Sequence, residues 1–534
     1  MGRAIDCVLI GHNEMVFRDY EKKLRYLGTG TPSYRELNLG FVKYKDEPYT
    51  ATDVFNTICQ NTDYVKDGAF RWDDVFSLAI ACIATYLDKH GVSFDYISEF
   101  QSGKEQLRDM LENDHVLTVG ITTTFYTTAE PIIEIVKFIR SINKDAKIII
   151  GGIYITGEAK TQTAEFINNH FRQIGADYYI SSSQGEDALQ KLIKRIKENR
   201  AINGVPNIYY RDNEKYGFTF AEEENNALKD NLVNWGLFSD RIRKTIAVRT
   251  ARSCPFSCSY CAFPLHAGKY ETLDCGSIDA EFKAISGIKG LEYINFTDDS
   301  FNVPMNRFKE ILRSKISNNH NFKWNSFIRC QYLDEESVEL MKESGCEGVF
   351  LGIESANQKI LKIMNKNVEV GQHARGIEML NKHGIITYAS FIFGMPGETV
   401  DSVNDTIEFI RVYKPDFYRI QLWFCDPITP IWQQREEFGL TGTNFAWKHG
   451  TMTADEAQSH IERAFLEIDD SLWLPQFNFD FTAIFNLLHR GLDLQQIKKY
   501  IQTFNEGVRA KLRDMDAGNI SDGMFADMKA ALRI

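Results

Sequence analysis

The chain has no apolar run long enough to cross a bilayer. Its longest, Val75 to Leu87, falls well short of the roughly 20 residues a spanning helix needs, and reads as part of a buried helix over Asp73 to His90. Proline is scarce, with 12 in 534 residues, and no repeat or low-complexity tract is present, so folded domains rather than long disorder are expected. Positive charge is in deficit: 61 Lys and Arg against 73 Asp and Glu leave a net charge of −12. A chain without surplus cations does not neutralise a phosphate backbone, which argues against a nucleic-acid or membrane-surface binder. The opening, Met1 to Asp6, carries no leader-like apolar core and leads straight into a strand, so a cytoplasmic location is expected. Of the 10 cysteines, seven stand singly. In a large intracellular chain these read as small buried hydrophobes, not as a disulfide framework.

What is present is a regular alternation of strands and helices. Asp6 to Gly11 reads as a buried parallel strand. Residues 18 to 70 break the rhythm and read as an insertion. Strands then follow near Ser93–Ile97, Val116–Thr122, Ala146–Ile150 and Asp177–Ile180. Helices lie between them near Lys104–Asn113, Ala129–Ile142 and Thr161–Gly175, with another after Glu186. This pattern predicts an α/β fold, a doubly wound parallel sheet whose ligands sit beyond the carboxyl ends of its strands. Those ends carry His12, Thr122, Thr123, Gly151, Gly152, Ser181, Gly185 and Glu186. A connector with a small hairpin near Asp212-Asn213 follows. A second alternation runs from Thr245 to about Leu422, and the rest is aromatic-rich and then mostly helical.

The strongest chemical signal lies directly after the strand Thr245–Arg249. Cys254, Cys258 and Cys261 are spaced C-x3-C-x2-C, with Tyr260 before the last cysteine. Three thiolates hold three irons of a [4Fe–4S] cluster that ordinarily takes four cysteines, leaving one iron open for small-molecule chemistry. A zinc site is the alternative, but tetrahedral zinc needs a fourth Cys or His, and none stands at a suitable spacing.

This motif resembles that of the radical S-adenosylmethionine (SAM) superfamily, and later strand ends extend the resemblance. Asp298 and Asp299 are similar in place to the loop that binds the methionine end. Arg329 is similar to arginines that pair with the carboxylate, and Glu354 to the glutamate that binds the ribose hydroxyls. Ser390 and Gly394 resemble the adenine-contacting strand and its turn. The resemblance implies a partial (β/α)6 TIM-like barrel with its site at the carboxyl ends of the strands. It also implies a small-molecule or peptide substrate and an external one-electron reductant of flavodoxin or ferredoxin type.

The N-terminal part resembles the cobalamin-binding domain of one large radical SAM subclass, through Thr118–Thr124, Ile148–Gly152, Ala176–Ile180 and Gln184–Glu186. Gly11-His12-Asn13-Glu14-Met15 stands where many such domains have an Asp-x-His-x-x-Gly loop, so His12 is a candidate cobalt ligand or a helix-capping residue. The opening segment and Trp447–Met452 resemble the PhpK-like group of P-methyltransferases. The implied domains are 1–200 (cobalamin-binding-like), 201–244 (connector), 245–425 (radical SAM barrel) and 426–534 (substrate-facing and helical). The implied cofactors are a [4Fe–4S] cluster, SAM and methylcobalamin. The implied activity is methyl transfer to an unactivated carbon or a phosphinate phosphorus, after hydrogen abstraction by a 5′-deoxyadenosyl radical. A cyclase, epimerase or rearrangement enzyme with the same cofactors stands beside it. A sensor that has lost catalysis is disfavoured by the intact motif. A methylthiotransferase is disfavoured because no second cysteine trio precedes the barrel. Tyr418, Gln421, Trp423, Asp426, Trp432, Trp447 and His449 are candidates either for substrate contact or for core packing.

Overall fold

The computed structural model describes residues 2–60, 62–65, 68–71, 75–213, 215–513 and 519–533. The chain divides into two compact units, one of residues 1–15, 75–255 and 263–291, the other of 16–74, 256–262 and 292–534.

In the first unit, a seven-stranded sheet is built on five parallel strands. From one edge they run Phe94–Glu99, Ala4–His12, His115–Thr122, Lys147–Gly151 and Tyr178–Ile180. An antiparallel hairpin, Ile208–Asp212 with Lys215–Phe218, completes the other edge. The central strands are Ile- and Val-rich and buried on both faces, as a parallel sheet covered by helices requires. Helices Phe100–Asn113, Glu130–Ile142 and Ala164–Ile174 pack in a row, with Leu107, Ile135 and Phe171 in one core with Val8, Ile10, Ile121 and Ile150. Leu78–Lys89 packs with Glu186–Lys197. Because Ala4–His12 has the next strand in sequence on one side and the third on the other, the sheet has a topological switch point between His12 and Thr122.

Two helices differ from the sequence expectation. The helix expected from Asp73 begins at Leu78, because the Ser77 hydroxyl caps it by accepting from the Ile80 N–H. Val75–Phe76 instead form a short strand beside Thr245–Val248, and residues 73 and 74 lie outside the described residues. The helix expected over Thr161–Gly175 is two, Ile153–Thr161 and Ala164–Ile174, since Thr163 caps a new start.

In the second unit, six parallel strands lie in sequence order: Tyr293–Phe296, Lys323–Ile328, Cys346–Glu354, Ile386–Phe393, Phe417–Leu422 and Leu472–Trp473. Helices connect the first five, and Ala454–Glu467, Phe481–His489, Leu494–Arg513 and Asp522–Ala531 make the C-terminal part helical. Residues 16–74 belong to this unit. Their helices and hairpin are held by the C-terminal helix Leu494–Arg513: the Tyr500 hydroxyl donates to the Ala51 carbonyl, and Lys511 Nζ to the carbonyls of Asn38 and Phe41. Mixed α/β architecture with parallel sheets and a helical C-terminal part is thus what the sequence implied. Among the described residues, no helix is long and apolar enough to cross a membrane.

Candidate active site

In the second unit, the loop carrying Cys258 and Cys261 is fixed by a turn at residues 363–366. Ser259 donates from its N–H to the Met364 carbonyl at 2.9 Å and from its hydroxyl to the Ile363 carbonyl at 2.7 Å. Asn365 Nδ2 donates to the Ser257 carbonyl at 2.8 Å. Cys258 is buried, and Cys261 half-buried. Cys254, in the first unit, is half-buried, and none of the ten cysteines is in a disulfide.

Arg329 follows the strand Lys323–Ile328 and is 8 % exposed. Its backbone is bracketed by Asn302, which accepts from the Arg329 N–H at 3.0 Å and donates to its carbonyl at 2.9 Å. The guanidinium donates from Nε to Ser300 Oγ at 3.1 Å and from Nη2 to Cys258 Sγ at 3.5 Å. Nη1 is buried with no partner, and such a cationic donor calls for an anionic acceptor. Asp298, in the preceding loop, is buried; Asp299 reaches the surface, but desolvation of its carboxyl and the charge of Asp298 push it up to about 7.

Glu354 ends the strand Cys346–Glu354 at φ +67°, in the left-handed region a non-glycine residue rarely adopts, after a break in register beyond Gly352. Its Oε1 accepts from Lys366 Nζ at 2.8 Å, and Lys366 also reaches the Tyr260 hydroxyl at 3.2 Å. Burial and the charges of Glu354, Cys258 and Cys261 raise the Tyr260 phenol. Ser390 pairs with Gly352 on one side and Arg419 on the other. Gly394 lies at φ +96°, and a Cβ there would stand 2.4 Å from the Trp447 ring. His449 Nε2 is 3.1 Å from the Gly394 carbonyl oxygen and its ring stacks on Trp447. The Gly394 N–H donates to Glu398, whose buried carboxyl is raised to about 8 and whose Oε1 has no partner. Trp423 and Trp447 are 2 % and 3 % exposed and pack on each other.

In the first unit, the switch point gathers His12, Thr122, Thr123, Gly151 and Gly152. Thr122 Oγ1 donates to the Gly11 carbonyl at 2.6 Å, and Thr123 donates from both N and Oγ1 to the Gly151 carbonyl at 2.9 Å. Gly152 has φ +116°, and a Cβ would approach Thr123 Oγ1 to 2.8 Å. The His12 ring stacks on Tyr126 and meets the exposed Phe125 edge-on; burial lowers it to about 4, so it is neutral at pH 7. Ser181 lines a cavity of about 270 Å³ with Thr156, Asn207 and Glu224. Gly185 takes φ +95° at the cap of the helix that Glu186 begins. Glu224 is half-buried, and desolvation and the nearby Glu186 raise its carboxyl to about 7.

Sequence reasoning passed over Lys366 and Asn302, and gave no role to Ser300 and Glu398. Ser300 and Glu398 had a local signal, the one directly after Asp298-Asp299 and the other in the Gly394-Met-Pro-Gly397-Glu398 turn; Lys366 and Asn302 are brought in by tertiary contact.

Residues 248–410 match the Radical SAM superfamily. An uncharacterised methyltransferase of Pyrococcus horikoshii is 26% identical over 326 residues, 59% of this chain and 68% of that protein. The anaerobic magnesium-protoporphyrin IX monomethyl ester cyclase of Cereibacter sphaeroides is 25% identical over 386 residues, 68% of this chain and 60% of the cyclase. Among solved structures, the radical SAM methyltransferase TsrM of Kitasatospora setae, determined with cobalamin and a [4Fe–4S] cluster, shares the fold at TM-score 0.56 and 17% identity, over 86% of this chain and 96% of its own.

Proposed function

We propose, on the premise that residues 248–410 are a radical SAM domain, that the chain is a cobalamin-dependent radical SAM methyltransferase. Its substrate is a small molecule or peptide, and the methyl acceptor is an unactivated carbon or a phosphinate phosphorus. The observation that carries the SAM-binding part of this reading is Arg329, buried beside Cys258 with Nη1 unpartnered. The thiolates of Cys254, Cys258 and Cys261 suit three irons of a cluster. A carboxylate held at the fourth iron would give Nη1 the anionic acceptor it lacks.

The chain's own residues bind and orient. Arg329 takes the SAM carboxylate, Glu354 accepts from the ribose hydroxyls, and Ser390 and Gly394 leave room for adenine. His12, Thr122, Thr123, Gly151 and Gly152, with Ser181, Gly185 and Glu186, receive the cobalamin; small side chains and bare backbone at these ends admit a bulky ring. When bound, the cluster supplies the electron that cleaves SAM to a 5′-deoxyadenosyl radical, and cobalamin carries the methyl group. An external one-electron reductant is required.

The test is turnover with candidate acceptors under reducing conditions, with 5′-deoxyadenosine and S-adenosylhomocysteine quantified together. Both co-products support methyl transfer. Deoxyadenosine alone favours the second reading, a cyclisation or rearrangement, to which the similarity to the magnesium-protoporphyrin cyclase lends weight.

A further inference from the structure

We infer that Lys366 is a positioning residue for the nucleoside end of SAM, joining Glu354 to the cluster loop so that one turn of chain sets both. This rests on the radical SAM reading of the site.

The Lys366 side chain is 4% exposed, and a buried ammonium must be paired. Its partners are Glu354 Oε1 at 2.8 Å and the Tyr260 hydroxyl at 3.2 Å, one a site carboxylate and the other a neighbour of Cys261. Lys366 occupies Oε1 and leaves Oε2 to accept from a ribose hydroxyl. The same turn, through Ile363, Met364 and Asn365, holds Ser257 and Ser259 of the cluster loop. Gly352 makes room for the pair: a Cβ there would stand 2.6 Å from Glu354 Oε1 and 3.2 Å from Lys366 Nζ. Glu354 is also held at φ +67°, a conformation that persists only where the surroundings enforce it. Lys366 therefore does more than neutralise a buried charge. It fixes the rotamer of a carboxylate on a strained backbone and ties it to the segment bearing Tyr260 and Cys261.

The experiment compares anaerobically prepared wild type with Lys366→Met, Lys366→Arg, Glu354→Gln and the Met/Gln double variant. It measures iron per chain, thermal midpoint, and dissociation constants for SAM and for its 2′,3′-dideoxy analogue. Lys366→Met is expected to keep wild-type iron but bind SAM about tenfold more weakly, in line with loss of a charge-assisted contact. The penalty should shrink to below about threefold for the analogue. The double variant should bind no more weakly than Glu354→Gln, and Lys366→Arg should recover most of the affinity. Lys366→Gln carries the same comparison if the Met variant does not fold. Wild-type SAM affinity in the variant, an equal loss for SAM and the analogue, or a loss that appears only when iron is lost, each overturns the inference. A wild-type protein that holds iron but binds no SAM overturns the radical SAM reading itself, and the inference with it.

Discussion

The guanidinium of Arg329 lies 3.5 Å from the sulfur of Cys258 and 3.5 Å over the ring of Phe256, inside the second unit and almost out of solvent. Ser300 accepts from its Nε and Asn302 fixes the backbone of the residue, so its planar fork is oriented before any ligand arrives. Arg329→Gln is expected to weaken SAM binding by roughly 1.5–3 kcal/mol, the worth of a hydrogen bond to a charged group, with iron content unchanged. Arg329→Lys should recover little, since an ammonium does not reproduce the fork. Anaerobic equilibrium dialysis checks both.

Gly394 and Trp447 set a steric prediction. At φ +96°, with a Cβ placed 2.4 Å from the indole, Gly394→Val forces both backbone strain and an overlap in the core. The expected cost is on the order of 3 kcal/mol. Differential scanning calorimetry should show a lowered thermal midpoint; an unchanged one would mean that Trp447 moves freely.

The buried Glu398 carboxyl makes stability fall with pH. Its value is raised from 4.5 to about 8, so between those limits the folded chain holds a proton that the unfolded chain has released. The contribution is full below pH 4.5 and is lost as pH rises towards about 8. Denaturant unfolding of wild type and Glu398→Gln at pH 5.5, 6.5 and 7.5 should show the variant's slope shallower by about 1 kcal/mol per pH unit.

Gly152 tests the other cofactor separately. A side chain at φ +116° would press on Thr123 at the switch point. Gly152→Val should therefore reduce bound cobalt several-fold while leaving iron per chain at the wild-type level. Metal analysis of one preparation reads both.

Much of this was legible in the sequence because its signals are local. Apolar runs that stop at Gly11, Thr122 and Gly151 mark strand ends, and the spaced Cys254, Cys258 and Cys261 fall inside the segment that matches the Radical SAM superfamily. The helix break at Thr163 was less visible, since a capping threonine also fits inside a helix. Residues 16–74 carry no clean periodicity; Phe17, Leu37 and Phe41 form their own cluster with Phe477, more than 400 residues away. Lys366 carries no signal of its own in the sequence, and only the fold shows it against Glu354. The sequence leaves Trp447 open to substrate contact or core packing, and in the fold it packs against Gly394.

One chain is expected to carry both a three-cysteine cluster and cobalamin. Protein produced anaerobically with cobalamin supplied, and then reconstituted, should hold about four irons and one cobalt per chain, with the EPR signals of a reduced [4Fe–4S] cluster and of cob(II)alamin. Replacing Cys254, Cys258 and Cys261 with Ala should abolish the first signal and leave the second. Four irons without cobalt would contradict the account and leave a cobalamin-independent radical reaction in its place.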